Sequence, residues 1–389
     1  MKNVGVFFGS RSAEHDVSII TAQLIISGLR KLHYNVVPVY IDKKGRWLIG
    51  QELGTLKFFT NPDRQPKLKD AGSFYLDLEE SLGKNSFKQK GLLGKNISVD
   101  LAFPAFHGTY GEDGTMQGVF EIFDIPYVGC DTAASAIAMD KVFTKQVCLA
   151  NNIPTLEFLY FLKHEWETNR GTVLKSVGKK LRWPVMVKPA HLGSSIGLAK
   201  AINEQELEFA LEVAFHYDTK VLVEKCLEDF VDLTCALLGN YDPQPSLIQE
   251  STFGKEFFSY EDKYLDEGGT QLGKALKNIH IPARLDEKTT KIIQDTAVQT
   301  FKAIGCSGIA RVDFLYDKRT KKYFTSEVNP LPGTLYHHLW QKSRVELDEL
   351  LSRLISLAQE KHQEKKSVSY TFTSDVLKNA NSVKLQLKK

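Results

Sequence analysis

Two neighbouring runs, GIARVDFLYD (308–317) and KYFTSEVNP (322–330), predict a β-hairpin in the last third of the chain. Three oxygen-bearing side chains interrupt these apolar strands: Asp313, Glu327 and Asn329. Glu327 and Asn329 are two positions apart, so both leave the same face of a strand, and Asp313 can meet them across the hairpin. Two carboxylates and an amide suit Mg²⁺ shared with phosphate oxygens. The alternative is a pair of exposed strand acids, which the apolar surroundings disfavour.

A glycine- and serine-rich loop follows a lysine-bearing strand in VMVKPAHLGSSIG (185–197). Consecutive N–H groups of such a loop can surround phosphate oxygens, and Lys188 adds a positive charge. The chain contains neither a GxxxxGK[ST] P-loop nor a GxGxxG dinucleotide motif. A second apolar run, VLVEK (221–225), ends in Glu224 and Lys225, which can reach an adenine edge. Together the two segments indicate a nucleotide site.

Two further loops precede helices in the first part of the chain. They are FGSRSAEHDVS (8–18), which contains Glu14, and AFHGTYGEDGTMQG (105–118), which contains His107. In an open α/β sheet, ligands bind in the crevice beyond the carboxyl ends of the strands. A helix N-terminus at that edge favours an anion or a carboxylate. The alternative is ordinary turn chemistry, with His107 as a packed or surface histidine.

Strands and helices alternate in the first part of the chain. Apolar runs predict strands at 4–8, 35–42, 99–106 and within 121–129. Residues 17–32 have helical periodicity, and DTAASAIAMDKVFTKQVCLANN (131–152) predicts one helix with Asp131 or Thr132 as its N-cap. This alternation predicts a doubly wound parallel sheet.

After Ile153 the pattern changes to mixed α+β. A helix over 203–217 lies between predicted strands at 183–190 and 220–227, and the polar segment 253–273 predicts a loop. The fold class is therefore α/β with α+β parts. The predicted domains are 1–135 (Rossmann-like), 136–230 (small, central), 231–365 (C-terminal, with the metal site) and 366–389 (a basic tail).

Composition excludes several functional classes. The 389 residues are 42% hydrophobic and 25% charged, and no apolar run approaches the ~18 residues of a membrane span. Five scattered cysteines, none spaced as CxxC, argue against a disulfide scaffold or a zinc site and favour a reducing cytoplasm. The net charge of +3 arises in the tail, since residues 361–389 hold seven lysines against two acids. The body of the chain thus lacks the charge typical of nucleic-acid binding.

The order of these motifs resembles that of the ATP-grasp superfamily and, within it, of the D-alanine–D-alanine ligases. The resemblance covers roughly residues 3–360. It rests on eight ordered segments: GSRSAEHDVS, HGTYGEDGTMQG, YVGCDTAASAIAMDK, VMVKPAHLGSSIG, VLVEKCL, SYEDKYL, ARVDF and SEVNPLPG. It implies an ATP-grasp fold and the ligation of two D-alanine molecules through an acyl phosphate, for peptidoglycan precursor synthesis.

The resemblance also implies a nucleotide and metal site. Phosphate contacts would come from Lys141, Lys188, Lys263, Ser194 and Ser195. The adenine and ribose would lie against Glu224, Lys225, Leu227 and Asp232, the last of which is more often glutamate in the family. Two Mg²⁺ ions, or Mn²⁺ in their place, would be held by Asp313, Glu327 and Asn329.

A site for two D-alanine molecules is implied beside the nucleotide. Glu14 would bind the ammonium group of the first D-alanine, with His107 nearby. Arg311 and the N–H of Gly333 would stabilise the oxyanion. A hydrogen-bonded link that closes the loops would be formed by Glu14, Ser194 and Tyr264.

Further expectations follow from the same resemblance. An acyl phosphate hydrolyses unless water is excluded, which predicts a lid function for residues 251–273. The partners are ATP and D-alanine, with a homodimer as the expected assembly. A cytoplasmic location without membrane insertion or nucleic-acid binding is expected.

One segment departs from the family pattern. PGTLYHHLW (332–340) places His338 where a serine for the second substrate's carboxylate is expected, and Ser326 replaces an apolar residue. D-Alanine is the predicted acceptor, and D-lactate, D-serine or another amino acid are the alternatives. A non-catalytic nucleotide-binding protein is a third hypothesis, which predicts broken ligands, yet the metal and phosphate residues are all present.

Overall fold

The first sheet lies at the N-terminal end of the computed structural model, which describes residues 3–60, 74–91, 94–252 and 279–377. Its strands are β1 (Asn3–Gly9), β2 (Asn35–Ile41), β3 (Trp47–Ile49) and β7 (Leu101–Pro104). They lie in the order β3-β2-β1-β7. β1 is parallel to β2 and β7, while the edge strand β3 is antiparallel. The three predicted strands of this sheet are therefore confirmed.

Helices cover both faces of the first sheet. α1 (His15–Lys31) packs on the face that carries Phe8, because alternate strand residues point to opposite sides. On the other face Phe7 meets Phe120 of α3 (Thr115–Ile122), with their ring centroids 5.0 Å apart. The prediction of a doubly wound arrangement is thus confirmed.

One detail of the N-terminal part differs from the sequence prediction. Residues 121–129 form no strand; a single bridge between Ala102 and Tyr127 takes its place. The polar region after β3 contains the short helix α2 (Leu56–Thr60). A small antiparallel sheet follows, made of β4 (Phe74–Leu76), β5 (Asn85–Gln89) and β6 (Asn96–Val99).

The predicted helix over 131–152 is two helices, α4 (Thr132–Met139) and α5 (Lys141–Ala150). Asp131 is the N-cap of α4, as predicted, and accepts a 2.9 Å hydrogen bond from the Ala134 N–H. Asp140 interrupts the run with an extended backbone, and its carboxylate accepts the N–H groups of the first turn of α5. A second N-cap therefore overrides the continuous helical periodicity.

The second sheet is antiparallel throughout. Its strands are β8 (Phe158–Leu162), β9 (Val185–Pro189), β10 (Ala199–Ala201) and β11 (Lys220–Lys225), in the order β10-β9-β11-β8. One face packs against α6 (Lys163–Lys180) and α7 (Glu204–Tyr217). Of the elements around this sheet, α7 was predicted, whereas α6, which is largely polar, and β8, a short apolar strand that is only partly buried, were not.

The third sheet is also antiparallel. Its strands are β12 (Phe230–Gly239), β13 (Gln244–Ser251), β14 (Ile279–His280), β15 (Gly308–Asp317) and β16 (Tyr323–Asn329), in the order β14-β13-β12-β15-β16. α8 (Glu287–Ile304) covers one face. α9 (His337–Lys342) and α10 (Leu347–Lys366) share a core with α1. That core fixes the third sheet against the first.

None of the helices within the described ranges is long and apolar enough to cross a membrane. The predicted loop at 253–273 lies outside the described residues. The domain limits set from the sequence stay a prediction.

Candidate active site

A cavity of about 590 Å³ opens between the second and third sheets. A smaller cavity of about 40 Å³ adjoins it and shares Lys141, Ser194, Arg311 and Glu327 with it. Most sequence-predicted site residues line the larger cavity: Lys141, Lys188, Ser194, Ser195, Glu224, Lys225, Leu227, Asp232, Arg311, Asp313 and Glu327. The smaller cavity adds Glu14, His107, Asn329 and Gly333. Lys263 and Tyr264 lie outside the described residues.

The predicted hairpin of β15 and β16 brings the oxygen donors together. Asp313 pairs directly with Glu327, and Arg311 pairs with Asn329. The Asn329 amide donates to Asp313 Oδ2 at 3.1 Å, and Thr234 donates to Asp313 Oδ1 at 3.0 Å. The three side chains predicted from spacing are thus neighbours at the cavity wall.

These side chains fit a hard divalent cation. Because Asn329 uses its N–H₂ group toward Asp313, its carbonyl oxygen is left for another partner. The side chain of Glu327 is 31% exposed toward the cavities. Among the described residues, no group of three or more His, Cys, Asp or Glu side chains could hold a metal ion. An ion at this wall would therefore need the amide oxygen and ligand oxygens to complete its coordination.

Arg311 is buried beside these acids. Its Nη2 and Nε donate to the Asp313 carboxylate at 2.6 and 2.9 Å, and its guanidinium carbon lies 4.8 Å from the centre of the Tyr336 ring. Burial alone would lower the pKa of Arg311, but the Asp313 carboxylate raises it above its usual value. Arg311 therefore supplies a fixed positive charge between the two cavities.

Two lysine ammonium groups pair with the buried carboxylate of Glu224. Lys188 Nζ lies 2.6 Å from Glu224 Oε1, and Lys145 Nζ lies 2.7 Å from Oε2. Burial would raise the pKa of Glu224, but the two lysines lower it to about 2. Lys145 also donates to Thr155 at 2.8 Å. Lys145 is not among the site residues predicted from the sequence, because nothing in its helix indicates a buried partner.

We expect Lys145→Met to lower the free energy of unfolding by about 3 kcal/mol, because it breaks a buried ion pair. The loss falls at the lower end of the usual range because Lys188 still faces Glu224. The matched control is Lys291→Met, since Lys291 and Asp295 are also 2.7 Å apart but exposed; it should cost about 0.5 kcal/mol. Urea unfolding of both variants measures the difference, and equal losses would contradict the buried pair.

The Gly/Ser loop, residues 191–197, lies between the two cavities. Ser194, Ser195 and Gly197 have φ values of 54°, 60° and 72°. Successive left-handed residues turn their N–H groups to one side, as phosphate-binding loops do. The Ser194 hydroxyl donates to the Glu14 carboxylate. A Cβ at Gly193 would lie 2.9 Å from Glu14 Oε2, so a side chain there would displace the Glu14 carboxylate.

The smaller cavity holds two buried titratable groups beside Glu14. Burial and the charge of Arg311 lower the pKa of His107 to about 4. His107 is therefore neutral near pH 7, and its Nε2 can accept the Thr21 hydroxyl at 2.8 Å. Burial, with Glu14 nearby, raises the pKa of Glu112 to about 8. Glu112 is not among the site residues predicted from the sequence, because its raised pKa arises from burial in the folded chain.

His338 lines neither of the two cavities. Its Nε2 lies 2.8 Å from Gln249 Oε1, and its ring centroid lies 4.8 Å from that of Tyr336. Burial lowers the pKa of His338 to about 4. Gln249 and Tyr336 do line the larger cavity. His338 thus supports the residues of the wall.

The turn before His338 has an unusual backbone. Thr334, Leu335 and Tyr336 have positive φ values of 48°, 54° and 51°. Each non-glycine residue in this region costs of order 1–2 kcal/mol. Such strain is concentrated at functional sites, and this turn presents Tyr336 to the cavity.

Comparisons with known proteins agree along nearly the whole chain. Family models described as the D-ala D-ala ligase N-terminus and C-terminus match residues 3–130 and 147–356. A D-alanine–D-alanine ligase from Thermosipho melanesiensis is 38% identical over 370 residues, which cover 95% of this chain and 97% of that protein.

Two solved structures are similar to this chain. The D-alanine–D-alanine ligase from Coxiella burnetii has a TM-score of 0.78 at 29% identity, covering 94% of this chain and 96% of its own. The VanG D-Ala:D-Ser ligase from Enterococcus faecalis has a TM-score of 0.76 at 31% identity, covering 92% of this chain and 99% of its own. Both likenesses cover more than 90% of this chain, so they concern the whole fold.

Proposed function

Since the chain belongs to the D-alanine–D-alanine ligase family, we propose that it uses ATP to join two D-alanine molecules. The reaction yields D-alanyl-D-alanine, ADP and phosphate and serves peptidoglycan precursor synthesis. One observation supports the site of this reaction above the others: Lys141, Lys188, Asp313 and Glu327 face a single cavity. An ATP triphosphate needs this combination of cations and oxygen ligands.

The reaction requires activation of a carboxylate. An amine does not attack a carboxylate at neutral pH, so the γ-phosphoryl group is first transferred to the carboxylate of the first D-alanine. The resulting acyl phosphate has a good leaving group, and the amine of the second D-alanine displaces it. The protein must bring two anions together and exclude water while it does so.

Lysines and the Gly/Ser loop are proposed to hold the nucleotide. Lys188 is fixed by Glu224, and Lys141 is fixed by a 2.6 Å hydrogen bond to the Leu192 carbonyl. Each lysine would approach the phosphates in a defined position and offset the repulsion between triphosphate and carboxylate. The adenine and ribose are assigned to Glu224, Lys225, Leu227 and Asp232, with Ser194, Ser195 and Lys263 near the phosphates.

The family uses a divalent metal ion with ATP. We assign two Mg²⁺ ions, with Mn²⁺ as a substitute, to Asp313, Glu327 and Asn329. When bound, such ions neutralise phosphate charge and polarise the transferred phosphoryl group.

The donor D-alanine is assigned to the smaller cavity. Glu14 would accept its ammonium group, with the neutral ring of His107 on the same side. Arg311 and the Gly333 N–H would stabilise the oxyanion that forms on the attacked carbonyl. The link between Glu14 and Ser194 joins this cavity to the Gly/Ser loop, and Tyr264 is proposed as its third member.

The acceptor pocket is proposed to lie against Tyr336 and Gln249, which His338 supports. At the position of His338 the family pattern expects a serine, which contacts the second substrate's carboxylate. Because this chain has a histidine there, D-serine, D-lactate or another amino acid are the alternative acceptors.

Mass identification of the product tests the function. We expect the purified protein, given ATP, Mg²⁺ and equal amounts of D-alanine, D-serine and D-lactate, to form mainly D-alanyl-D-alanine with equimolar phosphate. A mixed product, with D-serine or D-lactate as its second residue, would change the assigned acceptor but would still support a ligase. Phosphate release without formation of a coupled product would refute the ligase proposal.

A cytoplasmic homodimer is proposed as the working form. The five cysteines are free and buried, which suits a reducing compartment. Light scattering on the purified protein measures the assembly, and a monomeric mass would refute the dimer.

A further inference from the structure

A cluster of four charged residues lies beside the proposed nucleotide site. His191 begins the Gly/Ser loop, Asp140 is the N-cap of α5, and Asp218 and Lys220 flank the start of β11. His191 Nδ1 lies 3.0 Å from Asp218 Oδ1, and its Nε2 lies 3.1 Å from Asp140 Oδ2. The Lys220 ammonium also donates to Asp140. None of these residues has a role in the reaction described above.

The geometry defines the protonation of His191. A neutral imidazole has one N–H donor and one acceptor nitrogen, whereas the imidazolium has two donors. Both ring nitrogens face carboxylate oxygens, so both contacts are hydrogen bonds only when the ring is charged. The Asp140 side chain is only 2% exposed, so its charge needs partners that remain cationic.

The cluster joins three segments that build the phosphate site. The His191 N–H donates to Asp218 at 2.7 Å, which fixes the first residue of the loop to the start of β11. The Lys141 N–H donates to the Ala190 carbonyl at 3.1 Å, and the Lys141 ammonium donates to the Leu192 carbonyl at 2.6 Å. Lys141 is thus hydrogen-bonded to the residues that directly precede and follow His191.

We propose that His191 is a positioning residue, whose charged ring bridges Asp140 and Asp218 and so presets Lys141 and the Gly/Ser loop for the phosphates of ATP. The inference rests on the proposed function, since it assigns the phosphates to this loop. His191 does not touch the nucleotide in this assignment. It acts through the loop and through the N-cap of α5.

The electrostatics agree with this role. Hydrogen bonds to Asp140 and then Asp218 raise the pKa of His191 to about 9. Lys220 is the other charged group in the cluster, and it is directed at Asp140. A raised pKa means that the contribution of the ring is complete below about pH 6.5 and is lost as the pH rises through about 9. ATP binding should therefore weaken in that upper range.

Three variants test the proposal. We expect His191→Ala to weaken binding of the β,γ-methylene analogue of ATP, with Mg²⁺, by about five- to tenfold near pH 7.5, as expected for the partial loss of charged hydrogen bonds. His191→Arg keeps two donors and a permanent charge, so its Kd should stay within about twofold of the parent. The control His164→Ala removes an exposed histidine of α6 and should change nothing.

Calorimetry of analogue binding from about pH 7.5 to 10 separates positioning from stability. The parent should lose affinity through about pH 9, while His191→Arg should not, and the ratio of the two cancels other titrating groups. In turnover, KM for ATP should rise in His191→Ala with kcat within about twofold. If His191→Ala does not fold, His191→Gln replaces it.

The outcomes distinguish this inference from the proposed function. Unchanged analogue affinity in a folded His191→Ala, or the same pH dependence in parent and His191→Arg, would overturn the positioning role even in an active ligase. A parent that binds the analogue but makes no dipeptide would refute the function and leave the positioning role standing. A lower melting temperature with unchanged Kd would reduce His191 to a structural residue.

Discussion

Glu327→Gln is expected to lower kcat for dipeptide formation by about two to three orders of magnitude, because it removes one of two carboxylates proposed to hold divalent metal ions. Glutamine keeps the shape of the side chain, so the hairpin should stay intact. The Lys141 ammonium and the Arg311 guanidinium lie 3.9 and 3.8 Å from the Glu327 carboxylate. Without that carboxylate they still attract phosphates, so KM for ATP should change by less than about fivefold.

The matched control for Glu327→Gln is Glu349→Gln. Glu349 is paired with Arg353 at 3.7 Å on the exposed side of α10, a separation close to that between Glu327 and Arg311. The control should turn over at the parental rate. A titration of activity with Mg²⁺ adds a second readout, in which Glu327→Gln should need at least about tenfold more Mg²⁺. Parental kcat in Glu327→Gln would remove this residue from the metal site.

The strands that carry the site could be predicted because they are buried and apolar. β1 and β2 are nearly continuous hydrophobic runs, and β15 is apolar around Arg311 and Asp313, so the polar interruptions of the hairpin stood out. The helix α6 could not be found in this way, because its exposed lysines and glutamates hide a short buried stripe that includes Trp166 and Val177. Its position depends on packing against the second sheet, which no local pattern specifies.

The break at Asp140 shows a related limit. The residues around it have helical periodicity on both sides, and aspartate is tolerated within a helix. Here its carboxylate accepts the N–H groups of Val142 and Phe143 and also meets Lys220 and His191. The partners that stabilise the break come from β11 and the Gly/Ser loop, so they are absent from the local sequence.

The residues of the candidate site also fall into two groups, those predictable from local motifs and those that depend on the fold. Residues in short motifs, such as Lys188 and Asp313, could be identified from type and spacing. Lys145 and Glu112 could not, because their importance arises from burial beside Glu224 and Glu14. His338 differs from both, since its position in the motif predicts substrate contact, which stays a prediction, and the fold places it beside Gln249. The motif predicts where this segment of the chain lies. The backbone turn at Thr334–Tyr336 then determines which side chain faces the cavity.

Arg311→Lys is expected to lower kcat by about two to three orders of magnitude, the usual cost of removing an oxyanion donor. Lysine keeps the positive charge but cannot make the two parallel hydrogen bonds to Asp313 or stack on Tyr336. The hydrogen bonds from Nε and Nη2 to Asp313 hold the guanidinium in place, and this fixes the remaining N–H groups that would face the oxyanion. A lysine ammonium in the same space would move toward Asp313 and leave the oxyanion without its donor. KM for ATP should change by less than about threefold, since Lys141 and Lys188 are untouched.

Arg284→Lys separates this catalytic loss from a loss of stability. Arg284 makes the same kind of forked contact with the buried Glu250, through Nε at 3.1 Å and through Nη2, and neither residue lines the two cavities. Both variants weaken an arginine–carboxylate fork, so both should lower the melting temperature. Only Arg311→Lys should lose kcat. Equal kcat in the two variants would mean that Arg311 serves only to neutralise Asp313, and the oxyanion would then depend on the Gly333 N–H alone.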